Sequence, residues 1–323
     1  MCTAISFTNG SHYFGRTLDL EYSYQETVTI TPRKFPFAFR CGRRLDSHYA
    51  MIGVAFVQQN FPLYYDAINE KGLSIAGLHF PGNARYSNKP TNPYAASYEL
   101  IPWLLAQFET VEQVKEELKT LVITDHSFVP KLPASPLHWI AADSKEAITI
   151  ESTREGIRVY ENPVGVLTNN PPFEYHMLHL AQYLNLTSDV AISRFSDDLS
   201  LQPFSKGMGA IGLPGDLSSS SRFVRAAFTK WNSRCDQNEM DNISQFFHIL
   251  GSVEQTRGCA QVGDDLYEIT HYTSCCNTET GVYYYRTYTN SQISAVDMHR
   301  ESLDGDRLIT YPFNTQQQIA FQN

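Results

Sequence analysis

The chain has 323 residues, 42% hydrophobic and 18% charged, enough apolar material for a large buried core. Its 34 acidic and 25 basic side chains give a formal charge of −9. With no Lys/Arg-rich stripe to offset it, this balance excludes nucleic acid and anionic membrane as principal partners, though not a small anion in a local basic pocket. No apolar run approaches the ~20 residues of a membrane span, and Met1-Cys2-Thr3-Ala4 lacks the basic and apolar regions of a signal peptide, so a cytoplasmic protein is expected.

The first element predicted is a hairpin. Thr3–Phe7 alternates with period two, Thr8-Asn9-Gly10-Ser11 supplies turn chemistry, and His12–Arg16 returns. Strands are expected at Thr27–Thr31, Ala50–Phe56 and Leu63–Ile68, the last leading through a turn at Lys71-Gly72 into Leu73–Leu78. Between Ser97 and Thr120 the period becomes helical, with Leu100, Leu104, Leu105 and Phe108, then Val111, Val114 and Leu118. Two helices follow from this, the second capped by Thr110 with Gln113 three residues on. Strands return at Leu137–Ala142, Ala147–Glu151, Ile157–Tyr160 and Gly165–Leu167. A second helical block covers Tyr175–Leu184, Ser221–Trp231 and Ile243–Leu250, before strands at Leu266–Tyr272, Val282–Tyr288 and Ile293–Val296. Helices set between blocks of antiparallel strands favour an α+β fold of two stacked antiparallel sheets covered by helices. No linker, repeat or low-complexity segment divides the chain, so one domain is expected. The 19 Tyr and 19 Phe suit an aromatic-rich β core.

The six cysteines, Cys2, Cys41, Cys235, Cys259, Cys275 and Cys276, form no C-x-x-C and no disulfide framework. Cys2 stands apart by position. Removal of Met1 would give it a free α-amine, whose ordinary pKa of ~7.7–8.0 lets it serve as base for its own thiol; the other five read as packing. The returning strand of the first hairpin carries Arg16 and Asp19 back beside residue 2, a cation for a thiolate and a carboxylate for an ammonium. Asn169, at the end of a short strand in Thr168-Asn169-Asn170-Pro171, can donate to an oxyanion, although Asn-Pro is also a common turn. The Gly/Ser-rich run 206–221 leads into a helix carrying Arg222 and Arg225, with no phosphate-binding fingerprint. His79, His138 and His248 stand singly among apolar neighbours and read as satisfied core or loop histidines. No G-x-S-x-G elbow is present.

Together, Met1-Cys2-Thr3, Phe14-Gly15-Arg16-Thr17-Leu18-Asp19, Asn69-Glu70-Lys71-Gly72-Leu73, Gly165-Val166-Leu167-Thr168-Asn169, Leu213-Pro214-Gly215-Asp216 with Ser221-Arg222-Phe223, and Gly281-Val282-Tyr283-Tyr284-Tyr285 resemble the choloylglycine hydrolase family of conjugated bile salt hydrolases and penicillin V acylases. The resemblance implies an N-terminal nucleophile hydrolase with an αββα sandwich, formed by residues 2–323 after loss of Met1. It implies Cys2 as nucleophile, Arg16 and Asp19 beside it, Asn169 at the oxyanion and Arg222 in the charge network. It further implies amide hydrolysis without metal or organic cofactor, and a homotetramer. His79 occupies a position where bile salt hydrolases typically carry Asn and penicillin V acylases Tyr; an imidazole can donate as the Asn amide does. The flanking Gly-Leu-x-Phe-Pro-Gly-Asn resembles the bile salt group more.

The expected reading is therefore hydrolysis of a small amphipathic amide, a glycine- or taurine-conjugated bile salt, with Leu18, Tyr24 and Tyr65 as candidate walls for the steroid. A penicillin V or other acyl-amide acylase, and an inactive homologue that binds amphipathic ligands, are the alternatives.

Overall fold

The computed structural model describes residues 1–89 and 91–323. In chain order it opens with strands β1 (Cys2–Asn9), β2 (Ser11–Leu20), β3 (Thr27–Thr31), β4 (Met51–Gln58), β5 (Phe61–Asn69) and β6 (Ser74–His79). Helices α1 (Leu100–Gln107) and α2 (Val111–Leu118) precede β7 (Leu137–Ala142), β8 (Ala147–Thr153), β9 (Gly156–Glu161) and β10 (Val166–Leu167). The second helical block is α3 (Phe173–Leu180), α4 (Ser219–Asn232) and α5 (Glu239–Gly251). Strands β11 (Ile269–Asn277), β12 (Val282–Thr287), β13 (Asn290–Asp297) and β14 (Ile309–Pro312) follow.

These strands make two antiparallel sheets. The first has the order β10-β1-β2-β11-β12-β13 and the second β9-β8-β7-β6-β5-β4-β3-β14. Helices α4 and α5 pack on β1, β2 and β11, while α1 packs on β5 and β6, which completes the expected αββα layering. Strands β1 and β2 lie between the second sheet and the helices, so both of their faces are buried along most of their length. At Gly15 even a Cβ would fall 2.1 Å from the Ser274 carbonyl oxygen, and this close approach lets β11 lie against β2 beside the site.

Local sequence rules explain much of this. Gly10 takes φ +76° at the tip of the β1–β2 hairpin, and Thr110 with Gln113 forms the expected capping box of α2. Several short strands carried no usable pattern, including β14, which pairs with β3 at the sheet edge, and the parallel pair Tyr94–Ala96 and Val122–Thr124.

Two expectations require correction. Cys275 and Cys276 are buried packing thiols, but Cys259 is exposed and Cys41 and Cys235 are half-buried. His138 is a satisfied core histidine, with its ring nitrogens on Glu151 Oε1 at 3.2 Å and the Thr168 carbonyl at 2.8 Å, whereas His79 and His248 lie at the surface. Among the described residues no helix is long and apolar enough to cross a membrane.

Candidate active site

Cys2 pairs across the hairpin with Leu18, and Ala4 with Arg16. Side chains alternate along a strand, so Cys2 and Arg16 share the face toward the second sheet while Thr3, Thr17 and Asp19 share the face toward α4. Arg16 Nη1 accordingly donates across the sandwich to the carbonyls of Tyr65 at 2.9 Å and Gly77 at 2.6 Å. On the other face, Asp19 accepts from Thr270 Oγ1 at 2.6 Å and Thr17 Oγ1 at 3.1 Å. Arg16 and Asp19 thus both lie beside residue 2, as the hairpin implied, and flank it from opposite faces of the strand pair.

Met1 extends the β1–β2 pairing by one residue. Its ammonium donates to the Asp19 carbonyl at 2.8 Å and to Glu268 Oε1 at 2.6 Å, and the Asp19 N–H donates to the Met1 carbonyl at 3.0 Å. In the chain that carries Met1, the ammonium is held by the backbone of Asp19 and by Glu268. Burial pushes the Asp19 carboxyl above its ordinary pKa, opposed by the N-terminal ammonium, Arg222 and the Thr270 hydroxyl.

Three groups fix the backbone of Cys2, which is 4% exposed. Its N–H donates to Asn169 Oδ1 at 2.7 Å, and its carbonyl accepts from Arg222 Nη1 at 2.5 Å. The next N–H, that of Thr3, donates to Thr17 Oγ1 at 3.1 Å. Arg222 also donates to Thr3 Oγ1 at 2.7 Å and Asn169 Oδ1 at 2.8 Å, so one guanidinium ties β1 and the Asn169 amide together. Asn169 is placed by β10, which pairs with β1, and by Ser219 at the start of α4, which accepts its N–H at 2.8 Å. Asn169 Nδ2 donates one hydrogen to the His79 carbonyl at 2.8 Å, which leaves its second hydrogen for another acceptor.

Charge at the site is strongly perturbed. Burial opposes the charge on Arg16, but Cys2, Tyr272, Asp66 and Asp19 outweigh it and hold the guanidinium more firmly protonated than an ordinary arginine. The His79 pKa lies below its ordinary value through partial burial and the N-terminal ammonium, against Glu268 and Glu21. Its ring is therefore neutral near pH 7, with one N–H to donate.

A profile of the linear amide C–N hydrolases, choloylglycine hydrolase family, matches residues 2–311. The chain belongs to this family. It is 53% identical to a bile salt hydrolase/transferase of Lactiplantibacillus plantarum over 100% of both chains. It is 38% identical to one of Clostridium perfringens over 97% of both. The crystal structure of a mutant conjugated bile acid hydrolase from Clostridium perfringens superposes with a TM-score of 0.92 at 37% identity, covering 100% of both chains. A penicillin V acylase from Agrobacterium tumefaciens shares the fold, with a TM-score of 0.73 at 16% identity over 97% of this chain and 91% of that one. The chain is an amidohydrolase with the N-terminal nucleophile fold.

The structure brings Cys2, Arg16, Asp19, Asn169, Arg222 and the backbone of His79 into one constellation. Leu18 faces the same way as Cys2 but is 2% exposed, a floor more than a wall. Tyr24 and Tyr65 are half-buried; the Tyr65 pKa is raised chiefly by burial and also by Glu26, Tyr24 and Cys2, against Arg16. Cavities of about 710 and 800 Å³ elsewhere on the surface do not include Cys2 in their lining. Sequence reasoning missed Glu268 on the ammonium, Asp66 behind Arg16, and His176, whose Nε2–H donates to the Asn169 carbonyl at 2.9 Å. None lies in a motif; Glu268 and Asp66 reach the site through pairing distant in sequence, and His176 through α3, which follows Asn169 directly.

Proposed function

We propose that residues 2–323, acting as one catalytic domain after loss of Met1, hydrolyse the amide of glycine- or taurine-conjugated bile salts. The single observation that carries the mechanism is the clamping of residue 2: its nitrogen on Asn169 and its carbonyl on Arg222. A nucleophile whose own α-amine is the base needs that nitrogen fixed beside its thiol.

The freed α-amine takes the thiol proton, and the sulfur attacks the amide carbonyl carbon. The oxyanion accepts from the second Nδ2–H of Asn169 and from the His79 ring. Arg16, on the same face as Cys2, stabilises the thiolate, and Asp19 supports the ammonium. The ammonium then protonates the departing nitrogen of glycine or taurine as the C–N bond breaks, leaving a thioester. Water, deprotonated by the α-amine, adds to that thioester, and the C–S bond breaks to release the bile acid. No cofactor or metal enters this scheme. Leu18, Tyr24 and Tyr65 border the steroid in this reading. A thioester that water opens is open to other nucleophiles, and the paired name hydrolase/transferase of the relatives fits that second outcome.

The full-length identity of 53% to a bile salt hydrolase/transferase supports the bile salt over the penicillin V substrate. Six free thiols fit a reducing, cytoplasmic setting. Exposed apolar side chains between α3 and α4, among them Leu184 at 86%, Phe195 at 82% and Phe204 at 87%, supply a surface for self-association and support the homotetramer; light scattering should return about four protomer masses.

The test is a side-by-side assay of glycine release from glycocholate and phenoxyacetate release from penicillin V. Glycocholate turnover is expected to dominate, to fall by about 10³-fold or more in Cys2→Ser, and to vanish in protein that retains Met1. Absence of glycocholate turnover defeats the proposal, and full activity with Met1 retained defeats the α-amine as base. Ligand binding with activity unaffected by Cys2→Ser would instead identify an inactive homologue.

A further inference from the structure

The Asn169 amide, the oxyanion donor of the scheme above, sits in a segment whose two ends are held from the second sheet. Side chains alternate along β7, and Ile140 and Ala142 join the core that surrounds Cys2. His138 therefore projects into the same layer between the sheets, and the pairing of Trp139 with Ile150 sets Glu151 of β8 opposite it. Both side chains are fully buried. His138 Nε2 donates to the Thr168 carbonyl at 2.8 Å, and its Nδ1 lies 3.2 Å from Glu151 Oε1. The same carboxylate oxygen accepts the Phe173 N–H at 2.9 Å, the first amide of α3, which has no partner inside the helix. Residues 168 and 173 bracket Asn169, so one pair of side chains grips the segment before and after it. Phe80 stacks on the imidazole, with centroids 4.2 Å and planes 5° apart, and fixes the orientation of the ring.

The partners decide where the protons lie. A carbonyl oxygen and a carboxylate oxygen only accept, so a ring set between them donates from both nitrogens. An uncharged imidazole has one N–H and can serve only one of the two contacts. Among the described residues, His138 is the one cationic group within ion-pair distance of Glu151, and a carboxylate buried this deeply is costly alone. His176 supplies the contrast. Its Nε2 donates to the Asn169 carbonyl at 2.9 Å while its Nδ1 has no partner, and an uncharged ring satisfies that arrangement.

We propose that His138 and Glu151 form a positioning pair, an imidazolium and a carboxylate, that grips residues 168 and 173 and so keeps the Asn169 amide aimed at the oxyanion. This rests on the oxyanion reading of Asn169 above. The pair acts through Asn169, whose Oδ1 takes the Cys2 N–H and whose Nδ2 holds the His79 carbonyl. A segment freed at either end lets that amide turn. The loss falls where the oxyanion forms, in the transition state, and spares ground-state binding.

Nitrogen-15 spectra of mature protein labelled at histidine read the pair directly, with His138 recognised by the contact of its ring with Phe80. Two protonated ring nitrogens are expected, and one alone overturns the pair without recourse to a variant. Glu151→Gln keeps the length of the side chain and its acceptor for Phe173 but removes the charge. It should leave the His138 ring with a single N–H and lower kcat on glycocholate about tenfold or more, counted per Cys2 titrated with iodoacetamide, with KM held within about twofold. Glu151→Asp keeps the charge on a shorter arm and should retain both N–H groups, with a kcat between the other two. A pair that serves stability alone lowers the thermal midpoint of Glu151→Gln but leaves kcat per titrated site unchanged; that result, or a rise in KM in place of the fall in kcat, overturns the proposal. Asn169→Ala separates the two readings. If it turns over glycocholate at the unmutated rate, the oxyanion reading fails and takes the positioning role with it, whereas an inactive Asn169→Ala beside a fully active Glu151→Gln defeats the pair alone.

Discussion

Two clusters of buried charge approach Cys2 from opposite faces of the β1–β2 pair, and they offset the cost of burial in different ways. Between the sheets, Arg16 has a counter-ion in Asp66, whose carboxylate accepts from Tyr272 at 2.6 Å, Tyr283 at 2.5 Å and Ser274 at 3.3 Å. Burial pushes the Asp66 carboxyl up, while Arg16 and these three hydroxyls hold it down. On the helix side, Arg222 directs its donors to uncharged acceptors: the carbonyls of Cys2 and Leu217, Thr3 Oγ1 and Asn169 Oδ1. Burial lowers its pKa, and the charges of Asp19, Cys2 and Glu268 only partly oppose this. The first cluster matches charge with charge and sets the potential at the sulfur. The second converts a charge into directed hydrogen bonds and sets the coordinates of residue 2.

Arg222→Ala should separate these roles most forcefully. It removes the clamp and one of the cations that offset the buried Asp19, so urea denaturation should register a loss of about 3 kcal/mol; a loss below about 1 kcal/mol would contradict the clamp. Asp66→Asn should cost about 2 kcal/mol. It also leaves Arg16 a less compensated cation, so alkylation of Cys2 by iodoacetamide near pH 7 should speed up about threefold, followed by peptide-resolved mass spectrometry because Cys259 is exposed. Slower alkylation would remove Asp66 from the electrostatic account. Tyr283→Phe takes away one of the three hydroxyls and should cost about 1.5 kcal/mol, with little effect on KM.

The smallest effect expected depends on pH. Burial lowers the His176 pKa to about 4, so its ring is neutral in the folded protein but takes a proton in the unfolded chain below its ordinary value near 6.5. Its contribution to stability is complete above that value and is lost as pH falls from 6.5 toward 4. His12, lowered to about 4 by burial, adds to the same loss. His176→Gln should therefore flatten the acid fall in stability by about 1 kcal/mol. An unchanged acid profile would show that His176 does not titrate with folding.

How much of this was legible depended on sequence distance. Period two and Asn9-Gly10-Ser11 announced the hairpin, and the hairpin brought Arg16 and Asp19 to Cys2, because local pairing follows from local pattern. Which face each occupied required only their odd spacing, yet that had no meaning until the second sheet was known to lie on one side. Glu268 and Asp66 were not legible. Tyr267-Glu268-Ile269 and Tyr65-Asp66-Ala67 read as ordinary strand alternation, and their roles come from β11 lying on β2 and from the stacking of two sheets. The family resemblance carried Asn169 and Arg222 to the site, but the division of the Asn169 amide between Cys2 and His79 came from three-dimensional placement.

The anchoring of Met1 turns maturation into a race. An aminopeptidase must grip an extended, free N-terminus, but once β1 has paired with β2 the Met1 ammonium is seated on Asp19 and Glu268 and its carbonyl is bonded to the Asp19 N–H. The removal of Met1 proposed above therefore belongs to the interval before the first hairpin closes. On the mechanism proposed above, molecules that close early keep Met1 and have no free amine at residue 2. The specific activity of a preparation should then track its fraction of cleaved chains, and unfolding followed by aminopeptidase treatment and refolding should recover activity that treatment of the folded protein does not.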